Sequence, residues 1–184
     1  MKIRLAAVAL VAGLAFALTG LAEDKKEGAT VGGPFQVKAI TGEHRKGDNK
    51  EQLCYFCQYS AQSRPAVVMI FTNKADENLA KLVKAVDAVQ KTNEKLGTVV
   101  VGVGGVTDAD FEKLQEAEKF TTPLTVAVDK DGPSAYKLNK DNAVTVLVYE
   151  KGGKNAKAFE FKDTKEAAEK AGEICTCAEK KLSN

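Results

Sequence analysis

The chain has 184 residues, of which 44% are hydrophobic and 28% charged, with fifteen Gly and only four Pro. That composition excludes collagen-like, low-complexity and disordered classes, and the length suits one domain rather than two. Four Cys are far too few for a disulfide-built miniprotein, so the fold must rest on an ordinary hydrophobic core.

Residues 1–22 read as a secretory signal peptide: Lys2 and Arg4 form a basic start, Leu5 to Leu18 an apolar stretch, and Gly20-Leu21-Ala22 small residues before a cut. The alternative, an uncleaved anchor, wants about 20 strongly apolar residues, and this stretch is shorter and rich in Ala and Gly. No Cys follows it, so a lipid anchor has no acceptor. Lys+Arg number 27 against 25 Asp+Glu, and removal of the signal takes away two positive charges, leaving 25 against 25. A neutral mature chain lacks the basic field that nucleic-acid binding needs, and no stable membrane span is expected after signal removal. Export, to the periplasm or beyond the cell, also means an oxidising surrounding for thiols.

Residues 23–33 read as a mobile leader. Phe35 to Ile40 alternates as a strand, and polar Glu43 to Gln52 reads as a loop before Cys54-Tyr55-Phe56-Cys57. Pro65 to Phe71 is a continuous apolar run, as in a strand covered on both faces. Asp76 can cap a helix with Leu79, Leu82, Val83, Val86 and Val89 at helical spacing, ended by Gly97. Thr98 to Val103 is the next buried strand, and Thr107 with Asp110 starts a helix carrying Phe111, Leu114 and Phe120. Leu124 to Val128 is a further strand, followed by a turn at Asp129-Lys130-Asp131-Gly132 and a short helical piece near Ser134 to Leu138. Ala143 to Tyr149 and Ala156 to Phe161 form a hairpin around Gly152-Gly153. A last helix starts near Thr164, with Ala167, Ala168, Ala171 and Ile174 on its apolar side. Nothing divides residues 34–182, so they form one domain.

In this order of elements the chain resembles the thioredoxin-like superfamily, in its redoxin and peroxiredoxin branch. The matching pieces are Phe35 to Gly42, the strand ending Val68-Met69-Ile70-Phe71, the Val99 to Val103 strand, and Val146-Leu147-Val148-Tyr149 leading into Gly152. The resemblance implies an α/β fold: a thioredoxin-like three-layer sandwich with a central mixed sheet and helices on both faces. It also implies a nucleophilic Cys just after the buried strand, where a helix N-terminus stabilises a thiolate. Here that stretch is Thr72-Asn73-Lys74-Ala75-Asp76-Glu77-Asn78, without Cys, and the position near Ala143 lacks the superfamily's cis-Pro. Peroxidase chemistry at the usual place is therefore not expected.

The only constellation with obvious chemistry is then Cys54, Cys57, Cys175 and Cys177. Cys57 precedes the Pro65 strand, which places it near that strand's starting edge. In the resembled topology the final helix returns toward the same edge, so the two pairs are expected to meet. One reading makes Cys54 and Cys57 a redox pair exchanging with protein thiols or disulfides, with Cys175 and Cys177 as resolving or disulfide partners. A second is a catalytically inactive interaction domain whose disulfides tie the first loop to the last helix, closing a loop worth about 4 to 5 kcal/mol. A third sets all four thiolates around zinc, and it is the least favoured in an exported chain. Otherwise no cofactor is implied.

Weaker signals stay structural. Gly102-Val103-Gly104-Gly105-Val106-Thr107 fails the dinucleotide fingerprint at its sixth position and reads as a tight turn. Asp129 to Gly132 lacks the later ligands of a calcium loop. His44 is the only His and reads as a solvated loop residue. Phe120 and Tyr136 read as core.

Overall fold

The computed structural model describes residues 25–29, 31–43, 45–46, 49–50 and 52–183. The signal segment and His44 lie outside them. In chain order the elements are β1 (Lys25–Ala29), β2 (Val37–Ala39), β3 (Arg45–Lys46), β4 (Asn49–Lys50), β5 (Gln52–Leu53), α1 (Tyr55–Ala61), β6 (Ala66–Thr72), α2 (Glu77–Thr92), β7 (Leu96–Gly102), α3 (Asp108–Glu118), β8 (Leu124–Ala127), β9 (Val144–Glu150), β10 (Lys154–Phe161), α4 (Thr164–Glu169) and α5 (Ala171–Leu182). A 3-10 turn at Ser134–Tyr136 takes the place of the short helical piece.

Eight strands form one mixed sheet in the order β1-β10-β9-β6-β7-β8-β2-β5. β6 pairs in parallel with β7, and β7 with β8, while β9 joins β6 antiparallel and β10 joins β9 antiparallel. β10 therefore runs in the direction of β6. All seven residues of β6 and all seven of β7 are buried, which accounts for their unbroken apolar and β-branched runs. Residues 25–29, read from the sequence as leader, pair antiparallel with β10 as an edge strand.

Because strand side chains alternate, the sheet divides the core in two. On one face Val68, Ile70, Val146 and Val148 pack against Leu79, Leu82, Val83 and Val86 of α2, Phe111 of α3 and Ile174 of α5. On the other, Val67, Met69, Phe71, Val99 and Tyr149 pack against Tyr55 and Tyr59 of α1, with Phe35 and Tyr136 closing over Phe71. Helices thus lie on both faces, four on one and the short α1 on the other.

Local chemistry sets the boundaries. Asp76 caps α2 by accepting from the N–H groups of Asn78 and Leu79. Thr107 and Asp110 form the expected capping box at α3, and the Thr107 hydroxyl and N–H hold the Asp110 carboxyl below its ordinary range. Gly97 departs from expectation. The helix stops at Thr92, and Gly97 lies within β7, where a Cβ would come within 3.0 Å of the Tyr59 ring. Asp87, buried between α2 and β8, accepts from the N–H and hydroxyl of both Thr121 and Thr122. The final helix breaks at Lys170 into α4 and α5.

Candidate functional site

Cys54 and Cys57 form a disulfide across the first turn of α1, with Cα atoms 5.3 Å apart. Cys54 is the N-cap, in extended backbone, and its Sγ accepts the Cys57 N–H at 3.1 Å. The first turn of a helix leaves N–H groups without intrahelical acceptors, and here a sulfur satisfies one of them. Sequence reasoning anticipated no helix at this place. Gln58 to Arg64 is polar, but Tyr55 and Tyr59 stand one turn apart and both are buried, and that spacing is the signal that could have revealed it.

Three contacts dock α1 on the sheet. Tyr59 lies over Gly97 and its hydroxyl donates to the Thr98 carbonyl at 2.5 Å. Phe56 packs beside Tyr149, ring centroids 6.3 Å apart, and over Gly153, where a Cβ would come within 3.0 Å of its ring. Arg64 places its guanidinium 6.0 Å from the Tyr59 ring centroid and donates to the Glu94 carbonyl. Burial pushes the hydroxyls of Tyr59 and Tyr149 well above the usual tyrosine range, so both are neutral phenols in this layer. Tyr59 and Phe56 thus seat α1 beside Gly97 in β7 and Gly153 at the β9–β10 hairpin.

The expected meeting of the two Cys pairs does not form. Cys175 and Cys177 take no part in a disulfide; they are half-buried on α5 and pack against the core under α2. α5 does run toward the starting edge of β6, since Lys181 near its end donates to the Asn155 carbonyl at the β9–β10 hairpin. Chain order did not give the face: α5 packs on one side of the sheet and α1 on the other, with the strands between them. Cys175 and Cys177 are thus not placed to resolve or pair with Cys54 and Cys57. The donor set for zinc is not assembled either, and among the described residues no group of three or more His, Cys, Asp and Glu is placed to hold a metal ion. Burial, with Glu179 adding to it, pushes the Cys175 thiol above its ordinary range.

At the opposite edge, where the superfamily carries its nucleophile, the N-terminus of α2 is filled by a carboxylate. One oxygen of Asp76 takes two backbone N–H groups and the other accepts the Thr164 hydroxyl at 2.6 Å. A cleft of about 180 Å³ lies beside it, lined by Phe71, Thr72, Asn73, Val103, Asn142 and Ala143 among others. Asn73 closes one wall, its N–H donating to the Ala143 carbonyl and its side-chain amide to the Asn142 carbonyl. No cis peptide bond occurs among the described residues.

Comparison with known proteins places this architecture. No protein-family model matches the chain, and no curated protein matches it. Solved structures do. The peroxidoxin BcpB of Mycobacterium tuberculosis aligns with a TM-score of 0.57 at 16% identity, over 82% of this chain and 96% of that one. A secreted thiol-disulfide isomerase of Corynebacterium glutamicum aligns with a TM-score of 0.61 at 9% identity, over 91% and 99%. A DsbF homologue of Corynebacterium diphtheriae aligns with a TM-score of 0.54 at 14% identity, over 84% and 91%. The fold is thioredoxin-like. The chain is similar in architecture to peroxidoxins and thiol-disulfide isomerases, with its disulfide on α1 rather than at the start of α2.

Proposed function

We propose that this is an exported thiol-disulfide exchange protein whose redox pair is Cys54 and Cys57 and whose partners are protein thiols or disulfides. The observation that carries the reading is the Cys54–Cys57 bond itself, a disulfide of sequence separation 3 at the start of a helix, with Cys57 exposed. Such a bond makes a poor staple. In the chain-entropy model a four-residue loop restrains the unfolded chain by only about 2 kcal/mol, less than half the value expected for a tie between the first loop and the last helix. The bond also spans an arrangement suited to exchange, because the two cysteines are held on one helical turn and the Cys54 sulfur accepts a backbone N–H.

Export rests on the basic and apolar pattern of residues 1–22. Among the described residues no helix is long and apolar enough to cross a membrane. A secreted thiol-disulfide isomerase stands among the structurally similar proteins and supports the same reading. The experiment is an insulin-reduction assay with dithiothreitol as electron source. The oxidised protein is expected to accelerate insulin precipitation and the Cys54→Ser/Cys57→Ser double variant to return the rate to background. Equal rates for both proteins would sink the proposal.

A further inference from the structure

Resting on the exchange reading above, the geometry points to Cys57 as the sulfur that a substrate thiolate attacks and to Cys54 as the sulfur that leaves. Displacement at a disulfide depends on access to the attacked sulfur and on how well the departing sulfur carries charge. The two halves of this bond differ in both respects. Cys54 is only 8% exposed, set between β5 and α1, and it holds the Cys57 N–H on its Sγ. Its neighbour Tyr55 is buried against Tyr59, ring centroids 5.5 Å apart, which fixes the chain on that side. Cys57 is exposed, and Ala61, one turn further along the same side of α1, is exposed too and has only a methyl group to stand in the way. α1 carries no charged residue, so no carboxylate on the helix repels an incoming thiolate.

The step balances as follows. A thiolate of a substrate dithiol forms a bond to Cys57 Sγ while the Cys57–Cys54 bond breaks, its electron pair passing to Cys54 Sγ. The second substrate thiol, deprotonated, attacks the substrate sulfur of the mixed disulfide, and Cys57 Sγ leaves as thiolate. The substrate dithiol loses two electrons and becomes a disulfide, the protein pair gains two, and the two substrate protons end on Cys54 and Cys57. In the reverse direction Cys57 is the nucleophile toward a substrate disulfide and Cys54 resolves the mixed disulfide by attacking Cys57 Sγ. The later cysteine of the motif therefore faces the substrate, and the earlier one works from inside.

The test compares the single variants Cys54→Ser and Cys57→Ser in glutathione disulfide, with the mixed disulfides located by peptide mass. Cys57 in the first variant is expected to take up glutathione at least about tenfold faster than Cys54 in the second. Equal rates, or a faster Cys54, would overturn the order. A brief iodoacetamide pulse on the reduced wild-type protein reads the same order without substitution, and alkylation of Cys54 ahead of Cys57 would also overturn it. The exchange reading fails separately: a wild-type disulfide that persists in millimolar reduced glutathione, with Cys57 still the faster thiol in the variants, removes that reading and leaves the order of the sulfurs standing.

Discussion

Of the four cysteines, two form a disulfide whose halves differ in exposure and two lie outside any disulfide, set into a helix–sheet interface. Residue type and spacing were enough to single out Cys54 and Cys57 as a pair, because the pairing is local. They were not enough to assign Cys175 and Cys177, whose environment depends on which side of the sheet α5 covers. Burial holds the Cys175 thiol in its neutral form, with the Glu179 carboxylate adding to the effect. A raised thiol pKa leaves less thiolate at neutral pH, so alkylation of Cys175 should be slow at pH 7 and climb by about tenfold per pH unit well into the alkaline range. Iodoacetamide labelling with peptide mapping checks this, and a rate that levels off below about pH 8.5 would contradict it.

The least legible element in the sequence was also the one that carries the disulfide. α1 is seven residues long, too short to show an amphipathic repeat, and only the Tyr55 and Tyr59 spacing marks it. Gly97 misled for a related reason. It reads as a helix stop, yet it is a strand position kept small by the Tyr59 ring above it. Gly153 plays a matching part beneath Phe56, at a backbone φ of 81° that side chains rarely adopt. An added Cβ there would come within 2.5 Å of Val31 and 3.0 Å of the Phe56 ring. Gly153→Ala is therefore expected to cost about 2 kcal/mol in urea unfolding and to speed reduction of the disulfide, since α1 loses part of its seat. An unchanged midpoint and unchanged reduction rate would show that α1 does not depend on this contact.

For the whole molecule, the central sheet was legible because β6 and β7 are buried on both faces and so appear as unbroken apolar or β-branched runs. The thioredoxin-like order followed from those runs and the helices between them. What the order could not specify was the face on which each covering helix lies. A helix placed before β6 can reach the same edge from either side, and here α1 takes the side opposite α2, α4 and α5. That choice separates the cysteine pairs and leaves the Cys54–Cys57 bond as a self-contained unit. In the proposed role this bond opens and closes in exchange rather than serving as a fixed staple. Equilibration of the protein in graded glutathione buffers, with the thiols trapped and counted by mass, tests it most directly. A midpoint for Cys54 and Cys57 between about −120 and −270 mV, the range of known exchange proteins, is expected for an exchanging pair, while a bond that stays closed until below about −300 mV would mark a fixed staple and overturn the proposed role.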